Sequence, residues 1–138
     1  MNAKEYLSQY KTTSSRVKIL QNEIETLRTA AEGMSINLDG MPKGTGTSDK
    51  TARLAVLLAE CETKLTEELS ELWRIRMEII GTLGKLSSKH QRILYARYIE
   101  QKTWECIAYE MDITWRYCYM LHGSALAELE TVLNLKKN

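Results

Sequence analysis

The chain has 138 residues, 43% of them hydrophobic and 27% charged, with 19 basic against 18 acidic side chains and a net charge of +1. This length holds one ordinary domain, or one small domain with an extended appendage, and the apolar content excludes a disordered chain. The charge balance excludes a strongly basic tail but leaves room for a local nucleic-acid surface.

The opening segment, "MNAKEYLSQYKTTSSRVKIL", has no long apolar run, so neither a secretion signal nor a membrane span is expected there. Tyr6 and Tyr10, then Val17, Leu20, Ile24, Leu27, Ala31 and Met34 recur at steps of three and four residues. Lys18, Glu23, Glu25 and Arg28 fall outside this stripe. That is the seam of a long amphipathic helix of coiled-coil type, with Gly33 weakening its last turn.

The next stretch, "GMPKGTGTSDKT", is the densest in glycine and holds the single proline. From Gly44 it runs one residue short of the phosphate-binding pattern G-x-x-x-x-G-K followed by Ser or Thr. Such a loop works by following a strand and opening a helix, so that backbone N–H groups wrap the phosphates. Here a helical pattern precedes it, and Asp49 puts a carboxylate where phosphate would sit. The stretch is therefore expected to be a turn within a linker over 36–48. Gly40 ends one helix, Met41-Pro42 turns the chain, and Thr47 or Ser48 caps the next helix.

A second long helix is expected from about Ser48 and Asp49. Its seam is Leu54, Leu58, Cys61, Leu65, Leu72, Ile75 and Ile79, with Glu68 as a polar interruption. Two such helices on a short connection predict an antiparallel hairpin over 1–84, whose seams bury against each other or build a dimer. The cysteines Cys61, Cys106 and Cys118 are odd in number, widely spaced and without a C-x-x-C pair. They read as reduced intracellular thiols, with no metal or other cofactor implied.

Gly81 and Gly84 punctuate the chain before a small domain expected over 85–138. Ser87 or Ser88 caps a short helix through Ile93, Leu94 and Tyr98, and Gln101-Lys102 turns the chain. "TWECIAYEM" and "TWRYCYMLHGSALAELETVL" are then two helices split at Asp112-Ile113. This pair carries the pattern of a helix-turn-helix. Ile107 points inward, Ala108 is small where the helices cross, and Met111 closes the first helix. Asp112 sits at the turn, Ile113 plugs the corner, and Thr114 caps the second helix. Cys118 and Leu121 pack back.

With Cys118 and Leu121 inward, the roughly 100° step per residue puts Arg116, Tyr119, Met120 and Gly123 on the outer face, with Trp115 at its leading edge. Arginine reads a guanine edge with two bonds, and tyrosine and methionine contact phosphates or thymine methyls. Gly123 allows close approach to a phosphate. Lys102 and Thr103, with Lys89 and Arg92 upstream, are the expected phosphate contacts. The bland alternative for this face is a solvated or partner-binding surface. Trp104, Tyr95 and Tyr98 are expected in the core. Glu105 and Glu110 read as solvated charges. His90 and His122 lack a carboxylate or serine at helical spacing, so no general base, nucleophile or paired acid and base emerges and no enzyme is expected.

"LSSKHQRILYARYIEQKTWECIAYEMDITWRYCYMLHGSALAEL" resembles region 4 of sigma factors, including its A-L-x-x-L tail at Ala125-Leu126-Ala127-Glu128-Leu129. The whole chain is similar to the small phage and prophage proteins of low-GC Gram-positive bacteria grouped around ArpU and RinA-like late-gene regulators. Those carry K-E-Y-L, here Lys4 to Leu7, and a G-M-P-K/R-G-x-G-x-x-D-K linker, here Gly40 to Lys50. They also carry R-Y-I-E, T-W and Y-x-L-H-G-x-A-L, here Arg97 to Glu100, Thr103-Trp104 and Tyr119 to Leu126. The resemblance implies a sequence-specific regulator of transcription that binds double-stranded DNA in the cytoplasm of a bacterial host and activates late genes. RNA polymerase is a further candidate partner. Trp115, Tyr117, Tyr119 and Met120 stand where sigma recognition helices carry several charges, which points to a different target site.

The expected fold is all-α, a long N-terminal helical hairpin followed by a helix-turn-helix domain, dimeric through the hairpin. Two rival readings remain: an adaptor that binds RNA polymerase or another regulator without touching DNA, and a ring-forming DNA-packaging recognition subunit.

Overall fold

A computed structural model describes the backbone over residues 1–38 and 45–137, and side chains over 1–33 and 49–136. The chain is all-α. In order come α1 (Ala3–Leu38), α2 (Thr45–Leu83), α3 (Ser88–Leu94), a π-helical turn (Tyr95–Ile99), α4 (Trp104–Met111) and α5 (Trp115–Lys137). No strand occurs among the described residues. Helix therefore reaches further into the 36–48 linker than expected, to Leu38 on one side and from Thr45 on the other. The turn read at Gly40, Met41 and Pro42 lies outside the described residues, as do the side chains of Met34, Thr47 and Ser48. Neither Gly33 nor Gly81 interrupts its helix.

The chain forms two compact units, and they do not follow the 84/85 division. One is Ser14–Glu71; the other combines Met1–Thr13 with Leu72–Asn138.

Within Ser14–Glu71, α1 and α2 run antiparallel, as Arg16 pairs with Glu68 at 3.2 Å and Arg28 with Glu62 at 3.0 Å. Val17 and Ile24 are buried on the seam, while Leu54, Leu58, Cys61 and Leu65 are half-buried. Glu68, the polar interruption, is the residue that meets Arg16. Exposed ion pairs of this kind contribute at most about 1 kcal/mol each, so the apolar seam holds this unit.

The other unit is a true core. Leu7, Ile79, Leu83, Ile93, Leu94, Ile107, Cys118 and Leu129 are fully buried in one cluster. Residues 3–7 thus pack with the helices of the C-terminal third, which the 1–84 hairpin reading did not include. Ala3 donates its backbone N–H to the Glu130 carboxylate at 2.8 Å. The Tyr6 and Thr82 hydroxyls share a buried hydrogen bond. Tyr95, Tyr98 and Trp104, expected inside the core, are half-buried and pack against it. For the two tyrosines, the polar tips explain the difference. The Arg76 guanidinium donates to both Tyr10 and Tyr95 hydroxyls, at 3.1 and 3.2 Å, and Tyr98 meets a histidine.

Ser87 is the residue before α3, but its hydroxyl does not cap that helix. Its N–H donates instead to Glu128 on α5 at 2.8 Å and its hydroxyl to the same carboxylate at 3.3 Å. His90 Nδ1 meets that carboxylate as well. No carboxylate lies at helical spacing from His90; Glu128 comes from a different helix. These contacts hold the Glu128 carboxyl below its ordinary range, the His90 bond foremost.

Candidate nucleic-acid interface

The α4–α5 pair begins with Thr103, whose hydroxyl accepts from the Cys106 N–H at 3.2 Å and caps α4. Asp112 ends α4 in the left-handed region, with φ 55° and ψ 50°. Its N–H donates to the Tyr109 carbonyl at 3.2 Å, and the next N–H, from Ile113, reaches the Ala108 carbonyl at 3.0 Å. These two bonds are the Schellman closure that glycine usually serves, and aspartate is among the few other residues that tolerate it. The half-buried Ile113 packs against the core at this corner. Thr114 then caps α5, its hydroxyl accepting from the Tyr117 N–H at 3.1 Å. Ile107 and Ala108 on α4, and Cys118 and Leu121 on α5, are all buried in the shared core. Burial raises the Cys118 thiol pKa, leaving it an unreactive packing group.

That packing fixes the outer face of α5. Trp115, Arg116, Tyr117, Tyr119, Met120 and Gly123 are all exposed there. Arg116 forms no hydrogen bond or ion pair among the described residues, so its fork of donors is open. Trp115 and Tyr119 lie with ring centroids 6.2 Å apart, and Tyr119 continues to Trp104 at 5.3 Å. A Cβ added at Gly123 would meet nothing within 4 Å. The protein itself therefore does not require glycine at that position.

The flanking cations divide. Lys89 is exposed. Lys102, however, is engaged by carboxylates, Glu110 at 2.8 Å and Glu100 at 3.5 Å. Arg92 donates to the Glu110 backbone carbonyl at 3.2 Å, and the Cys106 thiol points to the Glu110 carboxylate. Glu110, read as a solvated charge, is thus a local hub, and the Lys102 hydrogen bond lowers its carboxyl pKa. Lys102 and Arg92 gather around that hub.

Three other cations stand beside Tyr119. Lys4, Ser8 and Lys11 of α1, Arg97 and Tyr98 of the π-helical turn, Gln101 and Trp104, and Tyr119 and His122 of α5 line a cavity of about 490 Å³. The Arg97 guanidinium lies 4.5 Å over the Trp104 ring and donates to the Lys102 carbonyl at 2.9 Å. His122 Nε2 meets the Tyr98 hydroxyl at 2.9 Å, and its ring sits edge-on to Trp104 at 4.6 Å. Burial, then the charges of Lys4 and Arg97, push the His122 pKa down to about 4, so it is neutral near pH 7. The signal for part of this cluster was present in the sequence. Lys4, Ser8 and Lys11 follow one helical face, but nothing local says which helix that face meets.

No group of three or more His, Cys, Asp and Glu side chains is placed to hold a metal among the described residues. Among them, no helix is long and apolar enough to cross a membrane. Comparison with protein-family models, curated proteins and solved structures gave no match to this chain.

Proposed function

We propose that this protein is a sequence-specific regulator of transcription that binds double-stranded DNA, of the ArpU and RinA-like phage or prophage type, acting in the cytoplasm of a bacterial host as a late-gene activator. The observation that carries the reading is the turn between α4 and α5. A left-handed Asp112, an inward Ile113 and a capping Thr114 set the two helices so that one face of α5 is packed and the other is open. A helix presented this way enters a major groove with its first turns leading, and in this chain those turns carry Trp115, Arg116 and Tyr119. Arg116 is the residue suited to a base edge. Lys89 serves as a backbone contact.

One cation on the outer face of the first turns of α5, Arg116, gives modest affinity, so the reading includes a homodimer that presents two such helices. The exposed Ile19, Val56 and Leu57 of the Ser14–Glu71 unit support it, because they leave apolar side chains in solvent outside the seam. Sedimentation at micromolar concentration should show a dimer, and a monomer throughout that range sinks this part. The deciding experiment is a mobility shift on DNA from the surrounding genome with a salt titration. Retarded complexes that weaken steeply as salt rises support a DNA regulator.

A second reading is favoured by the aromatic character of the same face, where Trp115, Tyr117, Tyr119 and Met120 are exposed beside one arginine. Aromatic and methionine side chains with arginine are typical of protein interfaces. In that case α5 docks RNA polymerase or another regulator, and the mobility shift is absent or insensitive to salt.

A further inference from the structure

Three cations and no carboxylate line the cavity between α1, the π-helical turn, α4 and α5. Charge over the whole chain is nearly balanced, 19 against 18, and elsewhere Arg16, Arg28, Arg74 and Lys102 are each matched with glutamate. Lys4 and Lys11 form no hydrogen bond or ion pair among the described residues. They are exposed at the rim. Arg97 is half-buried, with its guanidinium 4.5 Å from the Trp104 ring centroid and one nitrogen bonded to the Lys102 carbonyl. These two contacts orient the guanidinium in advance, while Lys4 and Lys11 of α1 line the same cavity. A concave wall of low-dielectric rings around cations of one sign concentrates positive potential.

We propose that this cavity is a phosphate-ester site for a nucleotide, either free or within a nucleic-acid strand, with its phosphate held by Lys4, Lys11 and Arg97. Arginine suits phosphate by donating two parallel bonds, and lysine by compact charge. Bare phosphate would leave most of a cavity of about 490 Å³ empty. The rest, walled by Tyr98, Trp104 and Tyr119, has the apolar lining and size usual for organic ligands. Ser8 and Gln101 add neutral polar groups at the same wall. His122 reports on occupancy, because burial first and the charges of Lys4 and Arg97 second hold its pKa down, and a bound anion would offset the second of these. The site stands independently of DNA reading by α5, since a free nucleotide fills it with α5 touching no duplex.

The test is a nuclear magnetic resonance titration of the full chain, following the Trp104 indole and the His122 ring. The probes are adenosine monophosphate, adenosine, inorganic phosphate and a short DNA duplex. Saturable shifts with the monophosphate and not with adenosine, together with a raised His122 pKa, establish a free-nucleotide site. Shifts with duplex and not with the monophosphate establish a backbone phosphate as the source. In either case the surface variant Lys4→Gln/Lys11→Gln, which removes no internal contact, should weaken the response by about tenfold. Inorganic phosphate should compete with whichever probe binds. Absence of saturable shifts with both monophosphate and duplex overturns the site. So does an equal response from wild type and the double variant. Loss of duplex retardation alone, with the monophosphate response intact, counts against DNA reading and leaves this site standing.

Discussion

The hydroxyls of Tyr6 and Thr82 meet at 3.0 Å in a buried contact between residues 76 positions apart. Thr82 also donates to the Glu78 carbonyl at 3.0 Å and lies 3.4 Å from the Lys136 ammonium. One small side chain thus joins three helices. Tyr6→Phe removes a single neutral hydrogen bond and should cost about 0.5–1.5 kcal/mol in urea denaturation. Leu7→Ala, at a fully buried position, should cost about 2–5 kcal/mol. A fragment of residues 85–138 should show little cooperative melting, because Leu7, Ile79 and Leu83 belong to the same core. A sharp native-like transition from that fragment contradicts the shared core.

Asp112 closes the turn with a positive φ of 55°. Asp112→Val places a branched side chain in the left-handed region and should destabilise by about 1–2 kcal/mol. Asp112→Gly should be no less stable than wild type. Urea midpoints of the two variants check this, and equal midpoints would mean the turn does not hold that geometry in solution.

His122 gives the unit a pH dependence whose sign is fixed. Its folded pKa of about 4 lies below the ordinary histidine value of 6.5, so the unfolded chain binds the proton first. Its contribution is whole above pH 6.5 and is lost as the pH falls toward 4. With half-burial allowed for, the loss is on the order of 2 kcal/mol. The lowered Glu128 carboxyl acts in a more acidic window, its contribution fading below its ordinary pKa of 4.5. Stability measured against pH should therefore decline between 6.5 and 4 in wild type and much less in His122→Gln.

If α5 reads DNA, Arg116→Ala should relax specificity at one base pair and cost about 1–3 kcal/mol in binding. Lys89→Ala should weaken binding evenly across sequences and lower the salt slope by about one. Unchanged footprints and affinities for Arg116→Ala would remove it from the reading face.

Helical faces were legible in the sequence because burial follows a period of three and four. Val17 and Ile24 are buried, and so are Ile107, Ala108, Cys118 and Leu121, the positions that fixed the outer face of α5. Thr114 and Asp112 were legible for a different reason: capping and left-handed turns are local chemistry. What was not legible is which helices meet. Ala3 and Leu7 carry no mark that assigns them to Ile93 and Leu129 rather than to the seam beside Val17. Glu128 finds His90 across 38 residues, and Lys4 finds Arg97 and His122 only through the fold. The π-helical turn was hidden too. Its Glu100 N–H bonds the Tyr95 carbonyl at 3.0 Å, five residues back, and a shift of that kind rotates Arg97 and Tyr98 away from ordinary helical phase.

The return of residues 3–7 to the core of the C-terminal helices sets an order of assembly during synthesis. The seam between residues 17 and 65 joins positions close along the chain and can zip as soon as both emerge from the ribosome. Leu7 must wait for Ile93, Ile107 and Leu129, so the leading helix leaves the exit tunnel with part of its apolar stripe uncovered. Long-range closure of this sort slows folding and leaves greasy surface open to chaperones in the interval. Ala3, Tyr6 and Leu7 should stay uncovered until α5 has been made.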